Sequence, residues 1–130
     1  DILNEVILLQ TTANSDIKIL KNFSNKQLVC FIDPTLINQV FNNLIKNAIE
    51  SIKTAVKKGL LANKANGFVK VVATSAEKNI LIKIIDNGIG LPNKKNQLFE
   101  PYVTSREDGV GLGLAIVKKI VEEHDGYLHL

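Results

Sequence analysis

An acidic residue at the end of an apolar run is followed in this chain by two glycine-rich segments, and the second of them opens a helix. The first is Asp86-Asn87-Gly88-Ile89-Gly90, directly after the apolar run 80–85, and the second is 109–114. Asp-Asn-Gly is a common hairpin signal, but residues 89–95 are too rich in Gly, Pro, Asn and Lys to return as a pairing strand. A carboxylate beside glycines can accept the exocyclic amine of adenine, and amides at a helix N-terminus attract phosphate. Together the two segments predict a nucleotide pocket.

The glycine-rich run 109–113 matches neither of the common phosphate-loop patterns. A Walker A loop needs Gly-Lys followed by Ser or Thr, and a dinucleotide-binding turn follows a strand at once. On its own the run is equally compatible with a flexible loop that enters a helix. Just upstream, Thr104 and Ser105 supply hydroxyls. The guanidinium of Arg106 can bind phosphate oxygens as a fork, or it can be an exposed surface charge.

A long helix is predicted from Asp33-Pro34 to about Lys58, because the carboxylate can cap it and proline suits its first turn. Gln39, Asn43 and Asn47 recur every four residues and form a narrow polar stripe beside its wide apolar face. A buried amide without a partner costs about 1–3 kcal/mol. A hydrated Mg²⁺ bound through neutral oxygens would satisfy such a stripe, and so would water at a solvated edge. The helix alone does not decide between them.

The remaining pattern predicts an α/β sandwich in which helices cover one face of a mixed sheet. Helices are predicted at 1–14 and 114–124, and strands at 16–22, 28–32, 68–75 and 79–86, with a strand-like end at 126–130. The strand 28–32 is expected to pair with the first strand, and Cys30 within it to be a buried structural thiol. The last helix is expected to turn four apolar residues inward: Ala115, Ile116, Ile120 and Val121.

Composition excludes several classes of function. A chain of 130 residues forms one domain with one core, here taken as 1–130. The aromatic share is 5% without Trp, and the net charge of +3 comes from scattered lysines, which argues against nucleic-acid binding. No apolar run is long enough to span a bilayer and no signal peptide is evident, so we expect a cytoplasmic domain without membrane contact. Both chain ends look like cuts from a longer protein.

Four segments, in this order, carry a family resemblance. Residues 43–48 (Asn-Leu-Ile-Lys-Asn-Ala) resemble an N box, 86–90 a first glycine box, 98–102 (Leu-Phe-Glu-Pro-Tyr) an F box and 109–113 a second glycine box. The chain thus resembles the ATP-binding catalytic domain of sensor histidine kinases, in the superfamily shared with gyrase, heat-shock chaperone ATPases and mismatch-repair MutL. Its run 100–106 and its last helix are most similar to NtrY-type nitrogen-regulation kinases.

The resemblance implies a Bergerat-type ATP-binding fold, truncated at its C-terminal strands, with a mobile lid between Asp86 and Gly113. It implies ATP and Mg²⁺ as cofactors, with the metal held by Asn47 and Asn43. Asp86 would bind the adenine amine, with Gly88 and Gly90 beside the ring. The phosphates would lie along Arg106, Gly111, Leu112 and Gly113, with Thr104 and Ser105 nearby.

The implied activity is donation of the γ-phosphate to a histidine on the dimerisation and phosphotransfer domain of the same protein, with a response regulator downstream. The parent protein would be anchored in the inner membrane. The acceptor helices are absent, so no catalytic residue is expected in this chain. The chain's own histidines are not expected to be acceptors, because His124 lies at the end of the last helix, where it suits the helix dipole.

Two positions depart from the family pattern. Glu50 stands where some relatives carry a basic residue that contacts phosphate, and Asn43 stands where gyrase-like ATPases carry the glutamate that activates water. Without that base, slow hydrolysis and transfer to another acceptor is favoured. Two alternatives are a gyrase-like or chaperone-like ATPase switch and a regulatory module, either nucleotide-independent or serine-kinase-like.

Overall fold

The computed structural model describes residues 2–90 and 113–130, which form three helices, a 3₁₀ turn and three strands. Their order along the chain is α1 (Ile2–Ala13), β1 (Lys18–Phe23), α2 (Pro34–Lys57), the 3₁₀ turn Lys64–Asn66, β2 (Phe68–Ala76), β3 (Asn79–Asp86) and α3 (Gly113–Glu123). The predicted fold class, helices on a mixed sheet, is confirmed. No helix in this described part of the chain is long and apolar enough to cross a membrane.

The sheet has the order β1-β2-β3 and is mixed. β1 and β2 are parallel, with Lys18 opposite Phe68, and α2 is the main element of the crossover that parallel pairing requires. β2 and β3 are antiparallel, with Val69 opposite Asp86. Alternate residues of β2, Val69, Val71 and Ala73, are buried beneath α1 and α2. The helices therefore cover one face of the sheet, as predicted.

The prediction of a strand at 28–32 is wrong. These residues form no strand, and the partner of β1 is β2. Strand pairing is decided by the α2 crossover, which places β2 beside β1, and an apolar run alone does not reveal its partner. Leu28 packs against the core, whereas Val29 and Phe31 are exposed. The thiol of Cys30 is also exposed, so the prediction of a buried cysteine is wrong for the same reason.

A small apolar cluster joins α3 to α2. It is built on Val40 of α2 and on Val117 and Ile120 of α3, all buried. The predicted inward face of α3 is therefore partly wrong, because Val117 is buried and Ile116 is exposed. Apolar residues occur on several sides of this helix, so the packing against α2 selects the face. The predicted strand-like segment 126–130 forms no strand, although its Leu128 packs on this cluster.

The helix ends follow local rules. Asp33 caps α2 by accepting hydrogen bonds from the amides of Thr35 and Leu36. At the other end, Gly59 has a φ of +76° and the amide of Leu60 bonds the carbonyl of Ala55 at 2.8 Å. This is a Schellman ending, for which glycine is suited because it adopts positive φ without strain. The predicted start and end of α2 are confirmed.

α3 ends in the same way, but with a different residue in the left-handed conformation. The amide of Gly126 bonds the carbonyl of Val121 at 2.9 Å, and that of Asp125 bonds the carbonyl of Glu122 at 3.0 Å. Asp125 has a φ of +58°. The helix end predicted from Asp125-Gly126 is confirmed.

Candidate functional site

A cavity of about 1440 Å³ lies between α2, the end of β3 and the start of α3. Four residues singled out from the sequence line it together: Asn47, Asp86, Gly90 and Gly113. The cavity is larger than a typical small-molecule pocket, because it continues along β3 and along segments 26–32 and 127–130, which lie outside the helices and strands. The structure thus brings together residues from three separate regions of the sequence.

The other predicted site residues are placed differently. Asn43 is half-buried on α2, one turn before Asn47, and neither Asn43 nor Gly88 is among the described residues that line the cavity. Thr104, Ser105, Arg106, Gly111 and Leu112 lie outside the described residues, as do the predicted F box and residues 91–112 of the predicted lid. Their roles stay predictions.

Asp86 is the last residue of β3 and is half-buried beside the cavity. Its Oδ1 accepts a hydrogen bond from the amide of Gly88 at 2.8 Å. Within residues 2–90 and 113–130, nothing donates to Oδ2. The carboxylate is therefore held in orientation by one oxygen and can accept a ligand amine with the other.

The side chain of Asn87 connects the end of β3 to the start of β2. Its Oδ1 accepts from the amide of Phe68 at 2.7 Å, and its Nδ2 donates to the carbonyl of Asn66 at 3.0 Å. Both bonds go to backbone atoms at the start of β2, so this asparagine joins the two neighbouring strands. Sequence analysis missed this role. The only available signal was the tendency of asparagine side chains to bond backbone in turns.

Gly88 lies against the backbone of α2. A Cβ atom at this position would lie 2.6 Å from the carbonyl oxygen of Ser51 and closer still to its carbonyl carbon and Oγ. The next amide, that of Ile89, donates to the same carbonyl at 3.2 Å. Glycine at 88 therefore permits a close approach between the loop and the helix. Whether it also contacts a ligand stays a prediction.

Ser51 is a cavity residue that sequence analysis missed. It lies on α2 one turn after Asn47 and lines the same cavity. The four-residue spacing that singled out Asn43 and Asn47 also reaches position 51. Extending that spacing by one turn would have found it.

The asparagines of α2 divide into two groups. Asn42 donates from Nδ2 to the carbonyl and Oδ1 of Asn38, and its own Oδ1 accepts from Gln10 of α1 at 3.2 Å. These amides hold α1 to α2. In contrast, the side chains of Asn43 and Asn47 bond none of the residues that the structure describes.

The free amide of Asn47 fits a divalent cation. Asn47 is half-buried beside the cavity, and its amide bonds nothing within residues 2–90 and 113–130. Its oxygen is a hard neutral donor of the kind that Mg²⁺ accepts when substrate phosphates supply the charge. Asn43 carries the same donor one turn earlier. These two residues are the candidates for holding the metal.

Comparison with known proteins gives a family match over most of the chain. Residues 32–130 match the family model described as histidine kinase-, DNA gyrase B-, and HSP90-like ATPase. The match begins just before α2 and includes every residue that we consider for the site. It does not include α1 or β1.

Two curated relatives illustrate the similarity. The chain is 48% identical over 99 residues to the nitrogen regulation protein NtrY of Azorhizobium caulinodans, covering 75% of this chain and 12% of that protein. It is 38% identical over 130 residues to an NtrY-like sensor histidine kinase of Rickettsia bellii, covering 99% of this chain and 20% of that protein. The chain thus spans at most about a fifth of these relatives.

Solved structures show the same fold. The nucleotide-free catalytic domain of histidine kinase ThkA superposes with a TM-score of 0.78 at 27% identity, covering 95% of this chain and 76% of that one. ThkA in complex with the response regulator protein TrrA superposes with a TM-score of 0.73 at 27% identity, covering 96% and 33%. The similarity includes all three helices and the sheet described above.

Proposed function

We propose, since this chain belongs to the family of histidine kinase-, DNA gyrase B- and HSP90-like ATPases, that it binds Mg²⁺-ATP and donates the γ-phosphate to a histidine. The acceptor histidine lies on the dimerisation domain of a two-component sensor kinase. One observation carries this proposal: Asn47, Asp86 and Gly113 line a single cavity, although they are far apart in sequence. The similarity to NtrY and to an NtrY-like sensor kinase supports it.

The adenine end of the site is assigned to Asp86 and Gly90. The carboxylate accepts the exocyclic amine through Oδ2, while Oδ1 remains bonded to the amide of Gly88. Gly90 has a φ of +83° and open space where a side chain would be. Backbone at this position can therefore approach the flat face of a base.

The phosphate end of the site is assigned to Gly113 and Asn47. Gly113 is the first residue of α3 and lines the cavity, so the first-turn amides, which have no partner within the helix, and its positive end lie beside the cavity. Asn47, with Asn43 beside it, would hold Mg²⁺ through amide oxygens. When bound, the ion neutralises charge on the phosphates. Thr104, Ser105, Arg106, Gly111 and Leu112 complete this end of the proposed site.

Phosphoryl transfer needs little covalent chemistry from this domain. A ring nitrogen of the acceptor histidine attacks the γ-phosphorus, the bond to the bridging oxygen breaks, and the electron pair leaves with ADP. The domain contributes by positioning the nucleotide and stabilising charge. Asn43 is an amide and cannot serve as a general base for water. Transfer to a protein acceptor is therefore favoured over the ATPase alternative.

The proposed partners follow from the share of its relatives that the chain matches. It spans 12–20% of its first curated relatives, so the dimerisation and histidine phosphotransfer domain is assigned to the rest of a longer protein. A response regulator would accept the phosphate in turn, and the complex of ThkA with TrrA supports this assignment. We place the domain in the cytoplasm of a parent protein anchored in the inner membrane.

A transfer assay tests the proposed function. The chain is mixed with radiolabelled ATP, Mg²⁺ and a separately made dimerisation segment that carries the acceptor histidine. We expect acid-labile label on the segment and little free phosphate. A segment with that histidine replaced by glutamine is the control and should stay unlabelled. Rapid release of phosphate without any acceptor would favour the ATPase alternative and contradict the proposal.

Replacing Asn47 with alanine should remove the Mg²⁺ dependence of ATP binding. The change deletes the unused amide without disturbing the hydrogen bonds of Asn42, so α2 should stay intact. In the wild type, affinity measured by calorimetry should fall on addition of EDTA. In the Asn47→Ala variant, affinities with Mg²⁺ and with EDTA should agree within about twofold. Asn25→Ala, at an exposed site, is the control; a persistent metal effect in Asn47→Ala would exclude the assignment.

A further inference from the structure

His124 at the end of α3 bridges two helices through its ring. Nδ1 lies 2.8 Å from the carbonyl oxygen of Ile120, and Nε2 lies 3.0 Å from the amide nitrogen of Asp33. A carbonyl only accepts, so Nδ1 carries the proton. An amide only donates, so Nε2 accepts through its lone pair. The two contacts require the same neutral tautomer and are compatible with each other.

The amide of Asp33 finds its acceptor on another helix. The side chain of Asp33 already accepts from Thr35 and Leu36 in the first turn of α2. In many helices a Glu or Gln three residues after the cap accepts the cap's own amide hydrogen. Here that residue is Leu36, which has no acceptor. His124 therefore completes the cap of α2 from another helix.

The bond connects the far end of α3 to the phosphate end of the site. The C-terminal end of α3 contacts the N-terminal end of α2, and Val117 and Ile120 pack on Val40, so the two helices run antiparallel. α3 has 11 residues and rises by about 1.5 Å per residue. Its first residue, Gly113, therefore lies farther along α2 than Val40, in the direction of Asn47. Both residues line the cavity.

We propose that His124 is a positioning residue for the phosphate end of the site. Apolar contacts are non-directional and tolerate sliding along the helix axis, whereas a hydrogen bond to one amide fixes a position. The bond to Asp33 sets the axial position of α3 along α2. It thereby sets the distance between the first-turn amides of α3, which begin at Gly113, and Asn47. This inference rests on the proposed nucleotide site, because it assigns the start of α3 to phosphate.

The test compares ATP with adenosine. His124→Phe keeps a flat ring and removes the acceptor for Asp33. We expect ATP affinity, measured by calorimetry, to fall about five- to tenfold, while adenosine affinity, measured by NMR titration, changes less than twofold. His124→Gln keeps an acceptor oxygen and should recover part of the ATP affinity. Glu123→Gln, at an exposed residue of α3 that does not line the cavity, is the control and should behave as the wild type.

Each outcome bears on one of the two proposals. Equal loss of ATP and adenosine affinity would show general destabilisation and overturn the positioning role. Wild-type ATP affinity in His124→Phe would overturn it as well. If the wild-type chain bound neither ligand, the proposed function itself would fail, and the mutants would not be needed to show it. Faster exchange of the Asp33 amide hydrogen in His124→Phe, without loss of the α2 core protection, would identify the broken bond directly.

Discussion

Asp86→Asn should weaken ATP binding by about 10- to 150-fold while leaving the fold intact. Hydrogen bonds to charged groups contribute about 1.5–3 kcal/mol, which corresponds to that range. The substitution is nearly isosteric, and its remaining oxygen can still accept from the amide of Gly88, as Oδ1 does now at 2.8 Å. The local turn is therefore preserved.

The loss of affinity follows from the donor and acceptor pattern. With its oxygen held by Gly88, the side-chain amide of the variant would present its NH₂ group to the cavity in place of Oδ2. The exocyclic amine of adenine is also a donor, so an attractive contact would become a donor–donor contact. Calorimetric titration with ATP at fixed Mg²⁺ measures the effect, and circular dichroism checks the fold.

Asp125→Asn is the matched control for this substitution. Asp125 is exposed at the end of α3, and asparagine also tolerates the left-handed conformation that the position requires. The substitution Asp125→Asn replaces a carboxylate with an amide away from the cavity. It should leave ATP affinity unchanged. If Asp86→Asn bound ATP as tightly as this control, the carboxylate would not be the adenine contact.

The parts of the fold that sequence analysis predicted well are those with local causes. Asp33-Pro34 and Gly59 mark the ends of α2 through short-range capping. The segment 28–32 was predicted wrongly because its pattern is local but its pairing is not. β1 pairs with a strand that begins after α2, and only the folded chain shows it.

The candidate site also contains residues that the sequence singles out and residues that only the folded chain reveals. Asn47, Asp86, Gly90 and Gly113 stand out because their residue types are unusual for their local positions, and the structure places all four around one cavity. Ser51 acquires its role only from Gly88 and Ile89, which approach it from a distant part of the sequence. The four-residue spacing on α2 reaches position 51, but nothing in a single sequence shows that Gly88 and Ile89 contact it.

Gly88→Ala should lower the free energy of unfolding by about 3 kcal/mol and also weaken ATP binding strongly. Overpacking of a close contact costs about 1–3 kcal/mol, and we expect the upper end because the opposing atoms are backbone. The new methyl group would overlap the carbonyl of Ser51, whose neighbours Ile49 and Ile52 are fully buried. Since α2 cannot move away there, the loop must.

Displacement of the loop is what links stability to binding in this variant. Moving Gly88 away from α2 breaks the bond from the Ile89 amide to Ser51 and the bond that orients Asp86. We therefore expect ATP affinity to fall at least about tenfold even at temperatures where the variant is fully folded. Chemical denaturation measures the loss of folding stability, and calorimetry measures the loss of ATP affinity.

Gly59→Ala separates these two effects, because it is a glycine substitution with a different cause of destabilisation. A side chain at position 59 would meet open space, but its φ of +76° strains any L-residue by about 1 kcal/mol. Gly59→Ala should therefore lose stability and keep wild-type ATP affinity. Should Gly88→Ala also keep its affinity, the contact of the loop with Ser51 would be a packing feature only. The cavity would then not depend on how closely β3 and α2 approach at this point.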